Sequence, residues 1–148
     1  MALIAKAFEL AKKQLLLDWK EKDGQGSNPK ITQVYACVDG LGNPEMIDDS
    51  SVAWCSAFVN WCIQMSGGKG TRNAAARSWL DWGKSSEGKV GDIVVLRRGT
   101  SSWQGHVGFV VSKGLLYVEI LGGNQDNDVC VKKYLRANVL GYRTSLDA

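Results

Sequence analysis

The second half of the chain contains five short segments with the pattern of β-strands. They are rich in Val, Ile and aromatic residues, and turn residues separate them. The segments lie at residues 92–96, 105–112, 115–121, 128–134 and 139–143. Because they follow one another with short connections, they predict an antiparallel meander. A chain of this length that carries them is expected to fold around one sheet.

Helical patterns precede these strands. Apolar residues that recur at steps of three and four predict an amphipathic helix over residues 2–22. A mostly irregular, turn-rich stretch at 23–52 is expected to cover or edge a cleft. A largely buried helix is predicted at 53–65 and a short helix at 73–82. Helices followed by strands indicate an α+β fold, with N-terminal helices packed on a small antiparallel sheet.

The composition is that of an ordinary globular domain. The chain has 148 residues, of which 45% are hydrophobic and 22% charged, so we expect a single domain over residues 1–148. The net charge of +3 comes without a basic run that would indicate nucleic-acid binding. No apolar core of a signal peptide and no membrane span is visible. We therefore expect a monomer without stable membrane insertion, made in the cytoplasm and acting after release.

Cys55 and His106 are the candidate reactive pair. Cys55 lies in the first turn of the predicted helix 53–65, where free N–H groups and the helix dipole favour a thiolate. A cysteine nucleophile needs a base, and His106 is the single histidine in the chain. The other cysteines, Cys37, Cys62 and Cys130, are assigned to the core, where a free cysteine behaves as a small hydrophobe.

His106 lies in the strand pattern GHVGFVV, with a glycine before it and another two residues after it. Alternation along the strand places His106 on one face and Val107 on the other. A histidine base needs a polar partner that fixes its tautomer. Two candidates stay open from the residues alone, namely Asn124, just past the neighbouring strand, and Glu119, inside that strand.

Six separated stretches carry more specific motifs. They are WCSAFVNWC at 54–62, ARSWLDWG at 76–83, GDIVVLRRG at 91–99, GHVGFVV at 105–111, ILGGNQDNDV at 120–129 and VLGYR at 139–143. In their order and spacing they resemble the CHAP and NlpC-type amidases and peptidases, and most of all the compact single-domain members found as phage endolysins. The similarity defines a catalytic core at about residues 52–143.

The resemblance implies a papain-like fold and a function in cell-wall hydrolysis. It implies cleavage of a peptidoglycan amide, either the N-acetylmuramoyl-L-alanine bond or a bond within the stem peptide. By position, Cys55 matches the nucleophile, His106 the general base and Asn124 the orienting residue. Many CHAP relatives have a glutamate two positions before that asparagine, where this chain has Gly122. The expected catalytic set is therefore Cys55, His106 and Asn124.

Bacterial peptidoglycan is the expected partner, and substrate contacts are assigned to Trp54, Trp103 and Gln125. No metal or other cofactor is predicted, because the adjacent Asp48 and Asp49 do not supply the six or more oxygen ligands that calcium takes. Two alternatives stay open. One is an antibacterial amidase toxin with the same chemistry, and the other is a non-catalytic module of the same fold that binds the cell wall.

Overall fold

The computed structural model describes residues 1–21 and 27–148, in which three α-helices precede a six-stranded sheet. The helices are α1 (Leu3–Gln14), α2 (Pro29–Tyr35) and α3 (Cys55–Met65). The strands are β1 (Lys84–Ser85), β2 (Ile93–Arg97), β3 (Gly105–Lys113), β4 (Tyr117–Gln125), β5 (Asp128–Leu135) and β6 (Val139–Thr144). Short 3₁₀ helices lie at Pro44–Met46, Ala76–Asp81 and Arg136–Asn138. The predicted α+β class is confirmed.

The strand order is β1-β6-β2-β3-β4-β5, and every neighbouring pair is antiparallel. The strands β2 to β5 form the predicted meander, whereas β6 returns across the sheet to pair with β2. Four of the five predicted strands agree with the observed ones to within one residue at each end. The exception is β4, which begins later than predicted and continues to Gln125.

Both faces of the sheet are covered. On one face, Phe109 and Leu121 pack with the helices in the main hydrophobic core. On the other face, Val110 and Ile120 belong to a second, smaller cluster formed mainly by the strands themselves. Because side chains alternate along β3, His106 is in phase with Val110 and lies on the second face. His106 thus has the alternation phase of the second face, at the beginning of β3.

The first helix is shorter than the predicted helix at 2–22. α1 ends at Gln14, and Leu16, in the turn that follows, is 90% exposed. Trp19 nevertheless packs in the core, with its ring centroid 5.3 Å from that of Phe58. The apolar stripe therefore continues through non-helical backbone, which periodicity alone does not reveal. Residue 22, the end of the predicted helix, lies outside the described residues.

The stretch predicted as irregular, 23–52, contains the helix α2, and its first part, 23–26, lies outside the described residues. The side chain of Asn28 caps the helix by accepting the N–H of Lys30 at 3.0 Å, and Pro29 occupies the first helical position. Asn followed by Pro is a recognised helix-start signal that could have predicted α2. The helix buries Ile31 and Val34 in the main core.

The short helix predicted at 73–82 is a 3₁₀ helix, Ala76–Asp81, which is fastened to the start of α3. Its Trp79 is fully buried and donates from Nε1 to Oγ of Ser56 at 2.9 Å. Ser56 in turn donates to the carbonyl of Asn73 at 2.6 Å. These bonds fix the first turn of α3, where Cys55 lies.

α3 approaches the sheet closely at Gly123 of β4. A Cβ atom at this position would lie 2.6 Å from the ring of Trp54 and 2.9 Å from Cβ of Phe58. The absence of a side chain at Gly123 therefore lets the beginning of α3 lie against the end of β4. None of the helices in the described part of the chain is long and apolar enough to cross a membrane.

Candidate active site

Cys55 lies in the first turn of α3, as predicted, although the helix begins at residue 55 and not at 53. Trp54 precedes it as the N-cap residue and makes no side-chain capping bond. The N–H groups of the first helical turn lack partners within the helix, and the positive end of the helix dipole lies beside them. The Cys55 side chain is thus held where a negative sulfur is stabilised, and the residue is only 4% exposed.

His106 is in contact with Cys55. Burial raises the pKa of the Cys55 thiol, but hydrogen bonds with the side chain of His106 and the backbone of Val107 lower it. Electrostatic interactions with His106 and Arg98 lower it further, and the net result is a pKa below the usual thiol value. His106 is itself 5% exposed. The structure therefore brings the two predicted residues together, although they are distant in the sequence.

The other three cysteines have the opposite electrostatic character. Burial raises the pKa of Cys37, Cys62 and Cys130. Cys130 is the most exposed of the four cysteines, yet its thiol still has a raised pKa. A ranking of the cysteines by exposure would therefore place Cys130 first, whereas a ranking by thiol pKa places Cys55 first. Cys55 is the one cysteine whose surroundings favour the nucleophilic thiolate.

Gln125, the last residue of β4, fixes the imidazole of His106. Its Oε1 lies 2.8 Å from Nε2 of His106. Its Nε2 donates to the carbonyls of Ile120 at 3.0 Å and Cys130 at 2.7 Å. Since carbonyls only accept, the amide nitrogen must face them and the amide oxygen must face His106. That oxygen also only accepts, so His106 donates from Nε2, and in the neutral imidazole the lone pair of Nδ1 is available as a base.

Tyr134 of β5 supports this arrangement from a second side. Its hydroxyl donates to Oε1 of Gln125 at 3.1 Å, and its ring stacks on His106 with centroids 5.3 Å apart. Burial is the main cause that raises the pKa of Tyr134 well above its usual range, and electrostatic interactions with Cys130, Cys55 and Asp126 reinforce it. The hydroxyl therefore stays protonated and remains a donor. Nothing in the sequence pattern had singled out Tyr134.

In the structure, Gln125 contacts His106, and Asn124, the predicted orienting residue, does not. Asn124 has a left-handed backbone conformation, with φ of +58°, and the register between β4 and β5 shifts between Gly122 and Gln125. This irregularity interrupts strict alternation and directs Gln125 toward the imidazole. The other candidate, Glu119, instead accepts a hydrogen bond from Ser112 at 2.8 Å. Gln125, expected to touch substrate, is almost fully buried.

The two tryptophans assigned to substrate contacts lie in different environments. Trp54 is fully buried, stacks on Trp19 and donates from Nε1 to Glu21 at 2.9 Å. It is a core residue and offers no surface to a substrate, so this prediction is wrong. Trp103 is 71% exposed in the loop before β3. A contact between Trp103 and substrate stays a prediction.

A pocket of about 240 Å³ opens beside the imidazole. Its lining residues are Leu96, Arg97, Arg98, Gly99, His106, Tyr134 and Asn138. Larger hollows of about 410 to 560 Å³ lie elsewhere on the surface and are lined by neither Cys55 nor His106. The smaller pocket is the one that we associate with chemistry, because reactive groups and not volume define an active site.

The carboxylates ahead of Cys55 have local roles. Asp48 accepts hydrogen bonds from the hydroxyls of Ser50 at 2.7 Å and Ser51 at 3.0 Å. Asp49 accepts the backbone N–H of Asn28 at 2.7 Å, next to the start of α2. Within residues 1–21 and 27–148, no group of three or more His, Cys, Asp or Glu side chains could hold a metal ion.

Comparison with protein families supplies the context for this geometry. Residues 47–124 match the model of the CHAP domain, and no curated protein matches the chain. The matched range contains Cys55, His106 and Asn124, whereas Gln125 lies one residue beyond it. CHAP domains are in general cysteine- and histidine-dependent hydrolases that act on peptidoglycan as amidases or peptidases. Since the match covers more than half of the chain, this protein belongs to the CHAP domain family.

Proposed function

We propose that this protein hydrolyses an amide bond of bacterial peptidoglycan, with Cys55 as nucleophile and His106 as general base. The observation that carries the proposal is the contact between a thiol of lowered pKa at a helix start and a histidine whose Nε2 is held by Gln125. Membership of the CHAP family supplies the substrate class. The substrate would reach the pair from the pocket beside His106.

The order of proton transfers follows from the tautomer of His106, in which Nε2 carries the proton and Nδ1 is the base. Nδ1 of His106 takes the proton of the Cys55 thiol, and the sulfur attacks the amide carbonyl carbon. The carbonyl oxygen becomes an oxyanion that the backbone N–H of Cys55 can stabilise, an interaction worth about 3 kcal/mol for one donor. His106 then gives its proton to the leaving amine, and a thioester remains on Cys55. A water molecule, deprotonated by His106, cleaves the thioester to a carboxylate and restores the thiol.

The biological role of this hydrolysis is also a proposal. We infer an endolysin-like role in which the protein reaches the wall after release from the cytoplasm, and a toxin directed at other bacteria would use the same chemistry. A wall-binding module that had lost catalysis would gain nothing from a thiol with lowered pKa beside an oriented imidazole. The contact between Cys55 and His106 therefore favours an enzyme over such a module.

Digestion of purified peptidoglycan tests the proposal. The protein should clear a wall suspension and release new amino groups, and mass spectrometry of the fragments should identify the bond. Intact stem peptides with a new amino terminus would mean cleavage at muramic acid, whereas split stems would mean an endopeptidase. Folded protein that releases no amino groups from walls of several chemical types would contradict the proposal.

Gln125→Leu is expected to lower kcat by about 10- to 100-fold with little change in KM, because His106 loses the acceptor that fixes its tautomer. Leucine keeps most of the side-chain volume, and urea unfolding would verify that the variant is folded. Asn124→Gly is the matched control, since glycine accepts the left-handed conformation at that position. The control should stay within about twofold of the parent. Loss of activity in Asn124→Gly with retention in Gln125→Leu would reverse our assignment.

A further inference from the structure

The pocket beside His106 is positively charged. It is lined by two arginines, Arg97 and Arg98, and by no acidic residue. The guanidinium of Arg97 donates from Nε to Oδ1 of Asn138 at 3.1 Å. Arg98 is exposed and forms neither a hydrogen bond nor an ion pair through its side chain with any residue that the structure describes. The pocket therefore presents one guanidinium whose donors are all available to a ligand.

Arg98 lies close to the reacting groups. It lines the same pocket as His106 and Tyr134, although it extends from the end of β2 while they belong to β3 and β5. Its positive charge acts on the pKa values of both Cys55 and Tyr134. A substrate whose scissile amide is placed on Cys55 would therefore have the guanidinium of Arg98 next to one of its neighbouring groups.

We propose that Arg98 binds a carboxylate of the substrate next to the scissile amide, so that the protein prefers stem peptides with free carboxylates to their amidated forms. This inference rests on the proposed function. A guanidinium pairs with a carboxylate through two parallel N–H···O bonds, which combine charge with defined geometry. A carboxamide offers only one acceptor and no charge. The carboxylate could come from the α-carboxyl of glutamate within the stem or from the carboxyl terminus of the stem.

Hydrolysis of three synthetic N-acetylmuramoyl stem peptides, which contain both the bond to muramic acid and the bonds within the stem, tests this proposal. One peptide has both carboxylates free, the second has the glutamate α-carboxyl amidated, and the third has the carboxyl terminus amidated. For the parent protein, kcat/KM should fall by about tenfold for the amidated peptide that lacks the bound carboxylate. Arg98→Gln should remove this preference, whereas Arg97→Gln should retain it. The amidated peptide whose kcat/KM falls tenfold identifies which of the two carboxylates Arg98 binds.

The rate of Cys55 alkylation by iodoacetamide separates binding from thiol activation. If Arg98→Gln slows all three peptides and the alkylation by one common factor, Arg98 acts only on the thiol and the proposal is overturned. Equal rates for all three peptides with the parent protein would overturn it as well, while leaving the proposed hydrolysis intact. If neither the peptides nor purified peptidoglycan were cleaved, the proposed function itself would fail, and this inference with it.

Discussion

Cys55→Ala is expected to lower kcat/KM for peptidoglycan hydrolysis by at least about 10⁴-fold, because no other group can form the thioester. The fold should survive, since the change removes one sulfur atom from a nearly buried site and leaves the helix-start backbone in place. The measurement is the rate of amino-group release from purified walls, with urea unfolding of the same sample.

The matched control for this prediction is Cys62→Ala, which makes the same chemical change within α3 at a fully buried cysteine. It should destabilise the protein by about 1 kcal/mol, because the change leaves a small cavity in the main core. Below its unfolding transition, its activity should stay within a few-fold of the parent. Full activity in Cys55→Ala, or an equal loss in both variants, would contradict the assignment of Cys55.

His106→Ala is expected to lower kcat by about 10²- to 10⁴-fold, the usual contribution of a general base. It should also raise the pKa of the Cys55 thiol. In the parent, interactions with His106, the backbone of Val107 and Arg98 together outweigh burial, which is the largest single cause, and we expect burial to dominate once those of His106 are removed. The alkylation of Cys55 by iodoacetamide, followed from pH 5 to 10, should therefore shift its midpoint to higher pH.

Tyr134→Phe is the comparison for this pH profile. It removes the hydroxyl that donates to Gln125 but keeps a ring that can stack on His106. Its alkylation midpoint should shift less than that of His106→Ala, because the imidazole remains beside the sulfur. An unchanged midpoint in His106→Ala would mean that the imidazole does not activate the thiol.

The parts of the fold that obey local periodicity were predictable. Strands such as β3, a Val-rich segment that turn residues separate from its neighbours, agree with their predicted bounds to within one residue. Cys55 was identified by its position at a helix start. His106 was identified because it is the only histidine in the chain. Both inferences need only local sequence and the chemical requirement that a thiol nucleophile has a base.

The missed features depend on contacts that are distant in the sequence or on broken periodicity. The return of β6 to β2 is a long-range pairing that no local pattern encodes. Alternation fails where the register of β4 shifts, so Gln125 and not Asn124 turns toward His106. Trp54 is a core residue because it packs on Trp19, and the side chain of Glu21 accepts the hydrogen bond of its indole N–H.

Competitive labelling of the free thiols tests the central claim most directly. The protein is treated near neutral pH with less than one equivalent of iodoacetamide, and peptide mapping then measures which cysteine is modified. Our account predicts that Cys55 is labelled first, although Cys130 is more exposed, and that the fraction of wall-hydrolysing activity lost equals the fraction of Cys55 labelled. Labelling of Cys130 ahead of Cys55, or full activity after complete modification of Cys55, would contradict it.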